Sequence, residues 1–206
     1  MIKTKNITLT ALFSAMIFVT TMFVHLPVPM MGGYVHIGDA FIYLAACLLP
    51  AQYAIFASAI GAGLADAIAF PVYIIPTIII KSLIVLAFSK NNNDKIISIR
   101  SMASVIVGSV TGIAGYFLAD WIIFGNAYTA LLNAVAGFVQ PLASALIFVV
   151  LGYALDRVNF KKRFLILPII LLYNQALTCH FFRLSQFHQF QHSGTNICQA
   201  SAVCQF

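Results

Sequence analysis

Asp39, Asp66 and Lys81 lie in stretches that are otherwise almost wholly apolar, and no other feature of the chain constrains its fold as much. An ionised side chain in hydrocarbon costs several kcal/mol or more, so it persists only when paired or facing a watery cavity. Two acids and one base in three successive hydrophobic segments therefore predict a polar pocket inside a membrane bundle.

The rest of the composition agrees. The 206 residues are 62% hydrophobic and 8% charged, and the mean hydropathy is +0.98, far outside the range of water-soluble domains. That length accommodates about six helices of roughly 20 residues with short loops and leaves no room for a separate catalytic domain. The formal charge of +6 would suit a nucleic-acid binder, but the positions of the basic residues exclude that reading. Lys3 and Lys5 precede the first apolar run. Lys90, Lys95 and Arg100 surround one polar loop, and Arg157, Lys161, Lys162 and Arg163 follow a later segment. Such clustering marks the cytoplasmic side of a membrane protein. The first run continues to Pro27 with no small-residue cleavage site, unlike a signal peptide. The four cysteines form no framework: Cys47 reads as a packed apolar residue and the others fall in the tail.

The chain divides into six segments, at 6–25, 37–49, Ala51–Ala69, 72–88, 99–123 and 128–155, and the polar run at 89–94 is the clearest loop. Backbone polar groups in lipid must be satisfied internally, and these lengths favour helices over barrel strands. The expected fold is an all-α membrane protein, a six-transmembrane-helix bundle, with a further apolar stretch at 165–172 in the tail. With the amino terminus in the cytoplasm, nine of the eleven Lys and Arg residues fall on the cytoplasmic side and the three outer loops hold none.

Helical spacing then groups the polar side chains. Tyr73, Thr77 and Lys81 repeat every four residues on segment four, and Thr129, Asn133 and Gln140 share a face of segment six. Tyr116 and Asp120 lie one turn apart on segment five, as do Asp39 and Tyr43 on segment two. Most of these groups fall in the outer half of the bilayer, so the spacing predicts a pocket that opens outward. Other readings stand beside this one. The tyrosines and Trp121 near one interface also fit an aromatic belt. Asp120, at the membrane edge, reads as a solvated cap, and Lys81 could snorkel. Asp66 and Lys81 could form a structural ion pair. His25 and His36 read as solvated residues flanking the first outer loop, with His36 within reach of a ligand. Asn133 and Gln140 also fit interhelical glue.

Small residues recur at helix-packing spacing: Ala11 and Ala15 in segment one, Ala57, Gly61 and Ala65 in segment three, Gly108 and Gly112 in segment five. Together with the run from Gly33 to Ile42 (GYVHIGDAFI), then Gly63-Leu64-Ala65-Asp66, then Pro76-Thr77-Ile78-Ile79-Ile80-Lys81, they give the chain a familiar look. It resembles the substrate-binding S components of energy-coupling factor (ECF) vitamin transporters, over about residues 7–163. The nearest branch carries pyridoxine, hydroxymethylpyrimidine and related precursors. The resemblance implies a six-helix binding domain at 1–163 that captures a water-soluble vitamin from outside, with an atypical tail at 164–206. It implies substrate contacts from His36, Asp39, Tyr43, Asp66, Tyr73, Thr77, Lys81, Trp121 and Asn133, with Phe41 and Phe70 as further stacking rings. It also implies that Ala11 and Ala15 dock a transmembrane coupling subunit, which two cytoplasmic ATPase subunits drive. No cofactor or metal is expected, and the chain carries no G-x-x-x-x-G-K-[ST] loop of its own.

The alternative function is a self-sufficient secondary transporter for a small polar solute, with Asp66 and Lys81 as proton-linked groups, although the chain is short and lacks an inverted repeat. An enzyme is not expected, since neither H-E-x-x-H nor G-x-S-x-G occurs. In the tail, His188 and His192 have helical metal-ligand spacing near Cys198 and Cys204, with no frame around them. The sequence leaves open which vitamin is bound, whether Asp66 and Lys81 meet the ligand or only each other, and what the tail does.

Overall fold

The computed structural model describes residues 2–28, 33–88 and 95–161. The chain divides into two units, Met1–Lys161 and Lys162–Phe206, and every described residue belongs to the first. The loop at 89–94, the apolar stretch at 165–172 and the tail histidines and cysteines lie outside the described residues.

Helix α1 (Ile2–Phe23) leads into a hairpin of β1 (His25–Val28) and β2 (Gly33–His36), followed by α2 (Gly38–Leu48), α3 (Ala51–Ala69) and a 3-10 turn at Pro71–Tyr73. Then come α4 (Ile74–Phe88), α5 (Ile99–Phe124), α6 (Ala127–Gly137) and α7 (Val139–Arg157). Among the described residues, five spans are long and apolar enough to cross a membrane: Thr4–Phe23, Ala51–Ala69, Pro71–Phe88, Ile99–Phe124 and Ala127–Arg157. With α2 as the sixth apolar helix, the expected all-α bundle is what the structure shows, and the protein is a multi-pass membrane protein.

Two local features depart from six plain helices. The short loop expected after the first segment is a two-stranded antiparallel hairpin that pairs His25 with His36 and Val28 with Gly33. It consumes chain that would otherwise lengthen the second segment. As a result α2 has 11 residues and extends about 16 Å, roughly half the hydrocarbon thickness. The sixth span is also broken, into α6 and α7, at Phe138. Pro141 lacks the N–H that would bond the Gly137 carbonyl, so the ladder fails there; within the first turn of α7 the missing donor does no harm.

The other ends are specified locally. Ser98 caps α5 by accepting from the Ser101 amide, Gly125 ends it at φ 66, and Asn126 caps α6 by accepting from the Tyr128 and Thr129 amides. Near the far end of the bundle both Asp156 oxygens accept backbone N–H groups, from Ile96 and Ile97 at 2.8 Å each. The last turn of α7 is thereby fastened to the segment leading into α5.

Apolarity gives no association force in lipid, so close approach and interlocking shape must hold the helices together. Ala57, Gly61 and Ala65 of α3 are all buried. A Cβ on Gly61 would stand 2.6 Å from the Ser14 carbonyl oxygen and 2.9 Å from Ile17 Cβ, so this glycine sets the approach of α1 to α3. Tyr43 of α2 stacks on Phe88 of α4 with centroids 5.5 Å apart and meets Phe148 of α7 edge-on at 5.8 Å. That cluster closes the centre of the bundle, while residues such as Ile99, Ile122 and Ile75 project from its outer faces. Gly61→Leu should lower the thermal midpoint of the detergent-solubilised protein by several degrees, equivalent to about 1–3 kcal/mol. Gly137→Ala, where a Cβ meets nothing within 4 Å, is the control expected to leave the midpoint unchanged or raised.

Candidate functional site

The side chains that sequence spacing places on one stripe of α4 form a ladder with α5. Tyr73 donates from its hydroxyl to Asp120 Oδ1 at 2.6 Å. Thr77 Oγ1 and Tyr116 Oη lie 3.0 Å apart. Lys81 Nζ stands 5.3 Å from the centroid of the Tyr116 ring. The two helices run antiparallel, so steps of four residues down α4 match steps of four up α5, and the polar groups meet in order.

Lys81 is the deepest member and is 1% exposed. Its ammonium donates to Asp39 Oδ1 at 2.6 Å, within an ion pair whose two side chains are both buried. The second Asp39 oxygen accepts from Gln140 Nε2 at 2.9 Å. Three elements (the first turn of α2, the middle of α4 and the first turn of α7) thus converge on one carboxylate. The start of a helix is also the electrostatically favoured place for an acid. One reading of the sequence paired Lys81 with Asp66; the structure pairs it with Asp39 instead. Asp66 lies about 6 Å before the end of α3, whereas Lys81 lies about 15 Å into the segment after Phe70, at 1.5 Å per residue. Antiparallel neighbours joined by a short turn cannot bring side chains from such different depths together, while the short α2 delivers Asp39 to the depth of Lys81.

These groups wall a cavity of about 160 Å³. Of the expected substrate contacts, His36, Asp39, Tyr43, Asp66, Tyr73, Lys81 and Asn133 line it. Thr77 is 2% exposed and stands behind the wall, holding Tyr116. Trp121 is not brought to the cavity: it is 48% exposed and packs against Phe117. Phe70 lines the cavity, whereas Phe41 packs against the apolar core. His36, expected to be solvated, is 7% exposed, and its Nδ1 accepts from the Gly38 amide at 3.2 Å.

Asp120 is the largest revision. Its position at the end of a span reads as a solvated cap, yet it is buried, with Tyr73 on one oxygen and Asn133 Nδ2 on the other at 2.9 Å. The turn at Gly125 and Asn126 folds α6 back so that Asn133 reaches it. Tyr116, Phe117 and Gln140 also line the cavity without having been singled out as contacts. The signals were present: Tyr116 is one turn from Asp120, and Gln140 is two turns from Asn133.

Such a cavity, buried in an apolar bundle and walled by rings and polar side chains, is suited to holding a small polar molecule. Comparison with known proteins names the class. Residues 1–157 match the family described as "ECF-type riboflavin transporter, S component". The chain belongs to this family of ECF transporter S components. Such a component sits in the membrane and binds a small vitamin-type substrate, so the protein is a vitamin-binding transporter subunit. A protein of Pyrococcus woesei described as "Uncharacterized protein in gap 3'region" is 31% identical over 148 residues, covering 70% of this chain and 94% of the relative. No solved structure matches at a comparable level.

The Asp39–Lys81 pair yields a test of the wall itself. Removing one member strands the other as a buried charge, so Lys81→Met and Asp39→Asn should each destabilise the detergent-solubilised S component by about 3–5 kcal/mol. The double variant should recover most of that loss, as thermal unfolding of all four proteins would show. Additive losses would mean that the two side chains do not act as a pair.

Proposed function

We propose that this S component is the substrate-binding subunit of an ECF-type ABC importer for a water-soluble vitamin or precursor with a nitrogen-containing ring, pyridoxine- or hydroxymethylpyrimidine-like. The observation that carries this reading is the polar cavity between α2, α3, α4, α5, α6 and α7, walled by rings from Phe70, Tyr73 and Tyr116 and by polar groups from Asp39, Asp66, Lys81, Asn133 and Gln140. The rings offer faces for stacking and the polar groups orient ring edges. The match over residues 1–157 supports a binding unit of 1–163, with the 164–206 tail not needed for capture. The basic clusters support a cytoplasmic amino terminus and a cavity that opens outward. The family description gives riboflavin as a second candidate, a larger ring of the same kind.

Native mass spectrometry of the detergent-purified full chain, and of a chain ended after residue 163, tests the reading. Both should carry one ring compound of vitamin size or take up pyridoxine, hydroxymethylpyrimidine or riboflavin in calorimetry. Failure of every one of these ligands to bind the full chain would overturn it, and binding confined to the full chain would assign the tail to the binding unit.

The working partners would be a transmembrane coupling subunit and two ATPase subunits, met through α1. Phe13 and Ile17 face the core of the bundle, while Ala11 and Ala15 lie on the exposed face of the same helix. Two small residues one turn apart leave a flat strip where another helix can approach closely. The variant carrying Ala11→Trp and Ala15→Trp should keep its ligand affinity within about twofold, because the strip does not border the cavity. Uptake in cells and co-purification with the coupling subunit should both be lost. Normal uptake by this variant would favour the solitary secondary carrier instead.

A further inference from the structure

We infer that the site of this S component takes a ligand built on one six-membered ring and excludes three fused rings, and that the Phe117 side chain is part of that limit. The inference rests on the proposed function and narrows its substrate class, against the riboflavin of the family description. It begins with the room available. The cavity measures about 160 Å³, close to the roughly 150 Å³ of an apolar protein cavity that holds one benzene molecule. Sites for larger, drug-sized ligands run from about 300 to 1,000 Å³. A single ring with short polar substituents suits this space. A flavin, with three fused rings and a ribityl chain, exceeds it.

The walls hold the cavity at that size. Tyr43 is buried, stacked on Phe88 and met edge-on by Phe148, so there is no slack behind it. The polar members of the wall are tied to one another across helices. Thr77 and Tyr116 join α4 to α5, Asp120 and Asn133 join α5 to α6, and Asp39 and Gln140 join α2 to α7. Widening the cavity by separating any of these helices would strand buried polar groups in an apolar medium, where lost hydrogen bonds are costly. Phe117 is a bulky side chain outside both sets of ties. It lines the cavity from α5, its ring can form no such hydrogen bond, and it rests against the half-exposed Trp121 with centroids 6.1 Å apart. Cutting it back therefore enlarges the cavity while the polar ties stay whole.

Lumichrome carries three fused rings like those of riboflavin but no ribityl chain, so it separates the rings from the chain. Calorimetry on the full chain in detergent should find pyridoxine or hydroxymethylpyrimidine bound at least about tenfold tighter than lumichrome and riboflavin, about 1.4 kcal/mol. Phe117→Ala should make room for the fused system and raise lumichrome affinity at least about tenfold. The same change should weaken the single-ring ligand, which loses a wall contact. Phe117→Leu is a smaller cut, expected to move both affinities in the same directions, and it serves as the test if Phe117→Ala does not fold. Lumichrome or riboflavin bound by the unaltered chain as tightly as the single-ring compounds would overturn the inference while leaving the proposed function standing. Exclusion of lumichrome that neither Phe117 variant relieves would also overturn it, because the barrier would then lie elsewhere than this wall. Failure of all four compounds to bind the full chain would overturn both.

Discussion

The ion pair between Asp39 and Lys81 is the interaction around which the rest of the bundle is arranged. In an apolar medium neither charge is tolerable alone, so the elements that carry them must meet at one depth. Helix α2 is short and starts beneath a hairpin, which puts its first turn at the depth of the middle of α4. Gln140 then draws the first turn of α7 to the same carboxylate. Burying such a pair is a poor way to gain stability compared with well-packed hydrophobic residues. What it supplies is position: a misplaced helix would strand a charge.

Apolar packing alone leaves the register of two membrane helices weakly determined, because lipid tails solvate either register nearly as well. The ladder between α4 and α5 removes that freedom. Tyr73 with Asp120 and Thr77 with Tyr116 align the helices at two successive turns. Small residues then set the distances. A Cβ on Gly115 would stand 2.7 Å from Ile80, and one on Gly108 3.2 Å from Ile84, so α5 approaches α4 through its glycines. Polar contacts choose the register, and small residues allow the approach.

Much of this was legible in the sequence because helical periodicity in lipid is a clean signal. The third, fourth and fifth segments coincide with α3, with the turn and α4, and with α5, and the Tyr73, Thr77 and Lys81 stripe faces the cavity side of α4. Pairing between segments was less legible. Spacing offered Asp66, the acid closer in sequence, as one partner for Lys81 and did not single out Asp39, since depth depends on where each helix starts and the hairpin that sets the start of α2 is a non-helical detour. Asp120 read as a cap because its burial depends on α6 folding back at Gly125 and Asn126, a tertiary event with no periodic signature. The break at Phe138 is different: Gly137 and Pro141 announce it, but a long apolar run overrides such punctuation when segments are drawn by hydrophobicity.

That break has a consequence for how the cavity is occupied. Irregular backbone at membrane depth is stable only where it is buried in protein or borders water. Gly137 and Pro141, on either side of the break, both line the cavity. The Gly137 carbonyl cannot receive the helical hydrogen bond that residue 141 would otherwise give. The interrupted helix, like the buried carboxylates near it, therefore calls for a hydrated chamber when no ligand is bound. Ligand entry is then an exchange of ordered solvent for polar ring edges, and tight binding goes to the molecule that reproduces the hydrogen bonds of the water it displaces.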